Sequence, residues 1–157
     1  MNEIELKYLK KRKRSLILRY KIWLRSVKLY KAIRSLKLKD LKILDIGASD
    51  GKILNYFKKK LNPSLAIGIE PFFPAIKGRA NKSLNIIQAK GEELPFKEHV
   101  FNLAIISSVL EHFDNPYESI KEVARVLERE GYLILIAVNP FYDKLLDTLK
   151  LKIKDHK

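Results

Sequence analysis

Lys42-Ile43-Leu44-Asp45-Ile46-Gly47-Ala48-Ser49-Asp50-Gly51 starts as an apolar strand and breaks at once into small residues. Ile53, Leu54 and Phe57 then recur at helical spacing, so the segment reads as strand, tight turn and helix. Such a turn aims backbone N–H groups and a helix N-terminus at one spot beyond the strand's carboxyl end. Gly47 lets the chain bend away from the strand, and Ser49 and Gly51 are small enough for a ligand to approach the backbone. Asp45 is a carboxylate near the end of an otherwise apolar strand. Burial there is costly without a partner, and a cationic group on a ligand would supply one. A second apolar run, Leu65 to Ile69, ends in Glu70. A carboxylate at that strand tip can accept hydrogen bonds from both hydroxyls of a ribose.

The pattern Asp45-x-Gly47-x-x-x-Gly51, followed by an acid after the next strand, resembles the class I S-adenosylmethionine-dependent methyltransferases. Ser49 stands where that family usually has a third glycine. The dinucleotide pattern Gly-x-Gly-x-x-Gly is absent, because positions 47–52 read Gly-Ala-Ser-Asp-Gly-Lys. Ala89-Lys90-Gly91-Glu92-Glu93-Leu94-Pro95-Phe96 resembles the segment Gly-Asp-Ala-Glu-x-Leu-Pro-Phe that follows strand three in the subgroup acting mostly on small molecules. In that subgroup the Asp contacts the adenine amino group. Here Lys90 is a donor where an acceptor is expected, which leaves adenine recognition to the Gly91 backbone or Glu92. Leu110-Glu111-His112 is similar to the family's Leu-x-His segment near the methyl group. Glu122-Val-Ala-Arg-Val-Leu127 followed by Gly131 is similar to its helix and glycine turn before strand five.

The resemblance spans about residues 41–139. It implies a Rossmann-like α/β fold with a doubly wound, mostly parallel sheet of about five strands, lacking strands six and seven. It implies S-adenosyl-L-methionine as cofactor. Asp45 would hold the methionine amino group. The backbone of Gly47, Ala48, Ser49 and Gly51 would take the carboxylate end, and Glu70 the ribose. Pro71, Lys90, Gly91, Glu92 and Ser107 complete the expected cofactor-binding set. Methyl transfer from a sulfonium needs alignment above all, and a base only where the acceptor loses a proton. Glu111 and His112 are the titratable pair best placed for that. The acceptor stays open, and two other readings keep the fold: a cofactor-binding partner subunit without turnover, and a basic RNA-binding module.

Residues 1–40 hold 14 lysines and arginines against three acids, whereas residues 41–140 hold 13 against 12. The net charge of +14 therefore sits mostly on an N-terminal extension. Residues 1–39 contain no Gly or Pro and read as a helical extension, with Leu16, Tyr20, Trp23, Leu24, Val27 and Tyr30 along one face. That stretch is expected either to dock on the domain or to meet nucleic acid or an anionic membrane surface, with the run Lys10 to Arg14 contributing. The cofactor domain is expected over 40–140 and a helical tail over 141–157. There is no cysteine, and His99, His112 and His156 are too scattered for a zinc site. No apolar run approaches the roughly 20 residues of a membrane span. The N-terminus lacks the apolar core of a secretory signal, so a cytoplasmic protein is expected.

The prolines of Pro71-Phe72-Phe73-Pro74 are expected to preset a turn, with Phe72 and Phe73 either walling an adenine ring or joining the core. Ile120, Val123, Ala124 and Leu127 are expected on the buried face of the helix after Pro116. Asn139-Pro140-Phe141-Tyr142 follows strand five rather than strand four and reads as a turn. Strand five is expected at the sheet edge, covered by the tail, the N-terminal helix or a second subunit in a homo- or hetero-oligomer.

Overall fold

A computed structural model describes residues 15–136. Helix α1 (Leu16–Ser35) starts where the Ser15 hydroxyl accepts the Leu18 N–H, capping the first turn. Then come β1 (Lys42–Ile46), α2 (Lys52–Leu61), β2 (Leu65–Ile69), α3 (Phe73–Lys77), β3 (Asn85–Ile87) and β4 (Phe101–Ser107). A 3₁₀ turn (Leu110–His112), α4 (Pro116–Val126) and β5 (Leu127–Ile136) complete the described chain. The expectations for Lys10 to Arg14, Asn139 to Tyr142 and the 141–157 tail lie outside the described residues.

The five strands form one parallel sheet in the order β3-β2-β1-β4-β5. Strand succession reverses between β1 and β4, and ligands bind outside the strand carboxyl ends at such a reversal. Both faces are covered, as a parallel sheet requires. On one face Val123 and Val126 of α4 pack with Leu44, Ile46, Ile69, Ala104 and Ile106. On the other, Leu29 and Ile33 of α1 join Ile53, Leu54 and Phe57 of α2 over Ile43, Leu103 and Ile105. The register of β4 against β5 jumps from Phe101↔Leu127 to Leu103↔Tyr132, so residues 128–131 loop out. That excursion is the glycine turn: a Cβ on Gly131 would lie 2.9 Å from the Glu128 carbonyl oxygen. Among the described residues, no strand pairs with the outer edge of β5.

Three expectations are corrected. The face of α1 that docks is Ile22, Ser26, Leu29, Tyr30 and Ile33; of the stripe from Leu16 to Tyr30, Tyr30 packs on the core while Leu16, Tyr20 and Trp23 are exposed. Ser26 fits this apolar face because its hydroxyl donates back to the Ile22 carbonyl at 2.9 Å. Ala124 of α4 is exposed, the buried turns being carried by Ser119, Val123 and Val126. The Pro71–Pro74 stretch leads into the short helix α3, with Pro74 in its first turn and Phe73 exposed rather than in the core.

Asn102 at the start of β4 is satisfied in place. Its Oδ1 accepts the Lys42 N–H at 2.8 Å, and its Nδ2 donates to the Lys39 and Asp40 carbonyls. The two donations need an amide, which a carboxylate cannot replace.

Candidate functional site

The loop after β1 alternates its backbone handedness. Gly47 (φ 74°), Ser49 (φ 52°) and Gly51 (φ 71°) are all left-handed. The turn is laced to the end of β2. The Gly47 and Ala48 N–H groups both donate to the Ile69 carbonyl, at 2.8 and 2.9 Å, and the Gly51 N–H donates to the Ala48 carbonyl at 2.9 Å. The Ser49 N–H donates to Glu70 Oε2 at 2.8 Å, and the Phe72 N–H donates to Glu70 Oε1 at 2.9 Å. Each of the four expected loop donors thus has an internal acceptor, and the loop is ordered by the chain itself.

Glu70 is buried, at 8% exposure, and accepts these two backbone donors, one on each oxygen. One backbone donor on each oxygen holds the side chain in one orientation. Asp45 is 2% exposed and sits in register between Gly68 of β2 and Ile105 of β4. The next acid, Asp50, is buried and bonded to Lys52 Nζ at 2.6 Å, while its carbonyl accepts the Ala80 N–H at 2.7 Å. That pair anchors the far side of the turn.

Gly68 was not singled out from the sequence and is needed here. A Cβ on it would lie 2.7 Å from Ala48 Cβ, so the loop could not close on β2. A glycine inside the apolar run Leu-Ala-Ile-Gly-Ile is the signal that marks such a close approach. Val109 was missed as well. Its side chain flanks Gly47 so closely that a Cβ there would meet it at 2.6 Å.

The segment after β3 is clamped to the loop after the 3₁₀ turn. Lys90 Nζ donates to Asp114 Oδ2 at 2.7 Å, and the Asn115 N–H donates to Glu92 Oε1 at 3.2 Å. The Lys90–Asp114 hydrogen bond is the main reason the Lys90 pKa is raised and the Asp114 pKa lowered. Gly91 is buried against the Phe113 ring and Ile46. Lys90 therefore directs its ammonium to Asp114. Pro71 is exposed, with its carbonyl accepting from Gln88.

At the carboxyl end of β4, Ser107 Oγ and Glu111 Oε2 are buried and have no hydrogen-bond partner among the described residues. Unsatisfied buried acceptors are costly and rare, so both mark a place where a polar group from outside would be welcome. His112 is exposed, on the turn closed by its own N–H to the Val109 carbonyl. The structure thus gathers Asp45, the loop and Glu70 at the ends of β1 and β2, with Ser107 and Glu111 at the end of the neighbouring β4. Among the described residues, no three His, Cys, Asp or Glu side chains gather as a metal site, and no helix is long and apolar enough to cross a membrane.

Residues 44–135 match a family model described as a methyltransferase domain. An uncharacterised protein of Methanocaldococcus jannaschii is 35% identical over 116 residues, covering 73% of this chain and 54% of that protein. The tRNA U34 carboxymethyltransferase of Syntrophotalea carbinolica is 31% identical over 105 residues, covering 62% of this chain and 32% of that protein. The chain therefore spans about half or less of these curated relatives. Among solved structures, a plantazolicin methyltransferase in complex with a pentazolic desmethyl analogue and S-adenosylhomocysteine superposes with a TM-score of 0.67 at 19% identity. The match covers 97% of this chain and 58% of that one. A protein of Pyrococcus horikoshii gives a TM-score of 0.67 at 23% identity, over 90% of this chain and 66% of its own. These two likenesses are likenesses of fold.

Proposed function

The chain belongs to the S-adenosylmethionine-dependent methyltransferase family, and we propose that it binds that cofactor at the ends of β1, β2 and β4 and transfers its methyl group to an acceptor. The observation that carries this reading is Glu70, a buried carboxylate directly after β2 whose side chain is held in one orientation by the Ser49 and Phe72 N–H groups, beside the glycine loop; a carboxylate so placed suits a ribose diol. The donor and acceptor chemistry of the site fits the cofactor: buried carboxylates at two strand tips for its hydroxyl and cationic groups, and orphaned acceptors on Ser107 and Glu111. When bound, the cofactor supplies a methyl group already activated by its sulfonium charge.

The chain's own part is to hold and to exclude. Glu70 takes the ribose hydroxyls and Asp45 the amino group, while the left-handed loop between them keeps the backbone close. Gly91 and Glu92 flank the adenine end, with Lys90 drawn off to Asp114. Glu111 and His112 line the acceptor side, and His112 serves as base where the acceptor gives up a proton. Two relatives are named for chemistry on tRNA uridine, a tRNA U34 carboxymethyltransferase of Syntrophotalea carbinolica and a tRNA (carboxymethyluridine(34)-5-O)-methyltransferase of Arabidopsis thaliana; for this chain an RNA acceptor is one candidate beside a small metabolite.

Calorimetric titration with S-adenosylhomocysteine is the first test. The wild-type chain should bind, and Glu70→Ala should weaken binding by about ten- to a hundredfold, the size of losing charged hydrogen bonds. Absence of binding by the wild type sinks the reading. Binding without transfer of labelled methyl groups to fractionated extract would move the chain to the non-catalytic subunit reading.

A further inference from the structure

We propose that the first turns of α1 form a docking surface for single-stranded RNA, an activity beyond methyl transfer. Leu16, Ile17, Tyr20 and Trp23 are 74%, 69%, 58% and 50% exposed. Tyr20 and Trp23 stack with ring centroids 5.7 Å apart and 26° between planes, so they present a fixed aromatic platform. From residue 15 to residue 39 there are eight lysines and arginines and no acid. An aromatic platform within a cationic field is what single strands need: bases stack on the rings, and phosphates meet the cations.

The platform is also well placed. Tyr30 of α1 meets Tyr56 of α2, and Ile33 lines the same groove as Leu61, so the two helices run side by side in the same direction. Trp23 lies seven residues before Tyr30, about 10 Å at 1.5 Å per residue. Lys52, where α2 begins at the glycine loop, lies only four residues before Tyr56. The platform therefore stands at the carboxyl end of the sheet, level with the loop or beyond it.

Other occupants fit less well. An interfacial membrane helix needs an apolar face along its length, and α1 already docks one face on its own domain, leaving an exposed apolar patch confined to Leu16, Ile17, Tyr20 and Trp23 and flanked by Arg19 and Lys21. A second copy would bring a stretch of the same charge against this one.

Trp23 is the only tryptophan, so its fluorescence reports on this surface alone. The full chain is titrated with a 12-nucleotide oligouridylate, and Trp23 emission and the anisotropy of labelled RNA are followed at several salt concentrations. The expected result is quenching of Trp23, with affinity falling with salt at a slope of about −0.7 for each phosphate neutralised. Tyr20→Ala/Trp23→Ala should bind at least about tenfold more weakly, with S-adenosylhomocysteine binding unchanged. Trp23→Phe should bind nearly as wild type, and Arg19→Glu/Lys21→Glu should weaken binding and flatten the salt slope. All four positions are at the surface, and thermal melts check that the variants fold. The proposal is overturned if the double alanine variant binds RNA as wild type does, or if no RNA binds. It is equally overturned if Trp23 emission responds to phosphatidylglycerol vesicles and not to RNA, or if Trp23 is shielded from acrylamide in a dimer. Because cofactor binding is read separately, its failure and the failure of this surface are told apart.

Discussion

Ser49 holds a left-handed backbone between two glycines that do the same, and it is the only one of the three with a side chain to accommodate. That conformation aims its N–H at Glu70 Oε2. A side chain in the left-handed region costs about 1–2 kcal/mol, part of which a glycine returns through its freer unfolded chain, about 0.5–1 kcal/mol. Ser49→Gly should therefore raise stability by about 0.5–1 kcal/mol, a melting temperature higher by roughly 1–4 °C, with S-adenosylhomocysteine affinity preserved. A fall in melting temperature would mean that the Ser49 hydroxyl contributes more than the backbone strain removes. The glycine pattern and the acid at Glu70 were legible because each residue type answers a local steric or chemical demand. The lacing of Gly47 and Ala48 to the Ile69 carbonyl was not, since a backbone hydrogen bond across 21 or more residues leaves no mark on the side chains. Lys90 was readable as a donor out of place. Its partner Asp114, brought near only by the fold, was not.

Helix α1 shows how an element can be right in kind and wrong in orientation. Two apolar stripes run along it at helical spacing, and periodicity cannot say which one docks. The aromatic stripe is split, Tyr20 and Trp23 staying exposed while Tyr30 packs on the core, and the stripe bearing a serine carries the buried Ser26, Leu29 and Ile33. Docking was decided by the shape of α2 and the sheet, where Leu29 and Ile33 are 2% and 3% exposed. Leu29→Ala should cost about 2–5 kcal/mol, whereas Leu16→Ala should change stability by less than about 0.5 kcal/mol; urea melts of the two variants check the difference. Helix α4 has a different task. Glu122 takes Arg125 Nε on Oε1 at 2.6 Å and Arg125 Nη2 on Oε2 at 2.7 Å, and it also accepts the Leu94 N–H at 2.8 Å. Arg125 in turn donates to the Phe96 and Leu94 carbonyls, so the pair fastens the loop after β3 to the helix. The Arg125 hydrogen bond lowers the Glu122 pKa below its ordinary 4.5. The unfolded chain thus binds the proton more readily, and the stabilisation is present above the ordinary value and lost as pH falls through the folded one. Glu122→Gln should lose about 1–2 kcal/mol at pH 7 and show a shallower loss of stability below pH 4.5 than the wild type. Parallel acid limbs for the two proteins would refute this.

Taken together, the molecule joins a nearly neutral nucleotide-type fold to a strongly cationic flank. A mostly parallel sheet of about five strands was legible through the family resemblance, and parallel crossovers need the helices that alternate with the strands; the order β3-β2-β1-β4-β5 was not, since pairing across the sheet is set by the fold. Charge was readable only as a count. Its consequence depends on where the cations stand, and along α1 they meet no acid of their own element, Lys28 and Lys31 being exposed. Exposed ion pairs elsewhere, such as Lys121 with Glu118 at 2.9 Å, are of the kind that contributes little. Self-repulsion from a net +14 should therefore outweigh them. The Debye length shrinks from roughly 30 Å at 10 mM salt to about 10 Å at 100 mM, so the melting temperature should rise over that range of sodium chloride. Lys28→Glu/Lys31→Glu should raise it at low salt by the same cause, and the two gains should not add, since each removes the same repulsion. A melting temperature that falls with salt would mean that the ion pairs govern stability, and then the double variant would gain nothing at low salt.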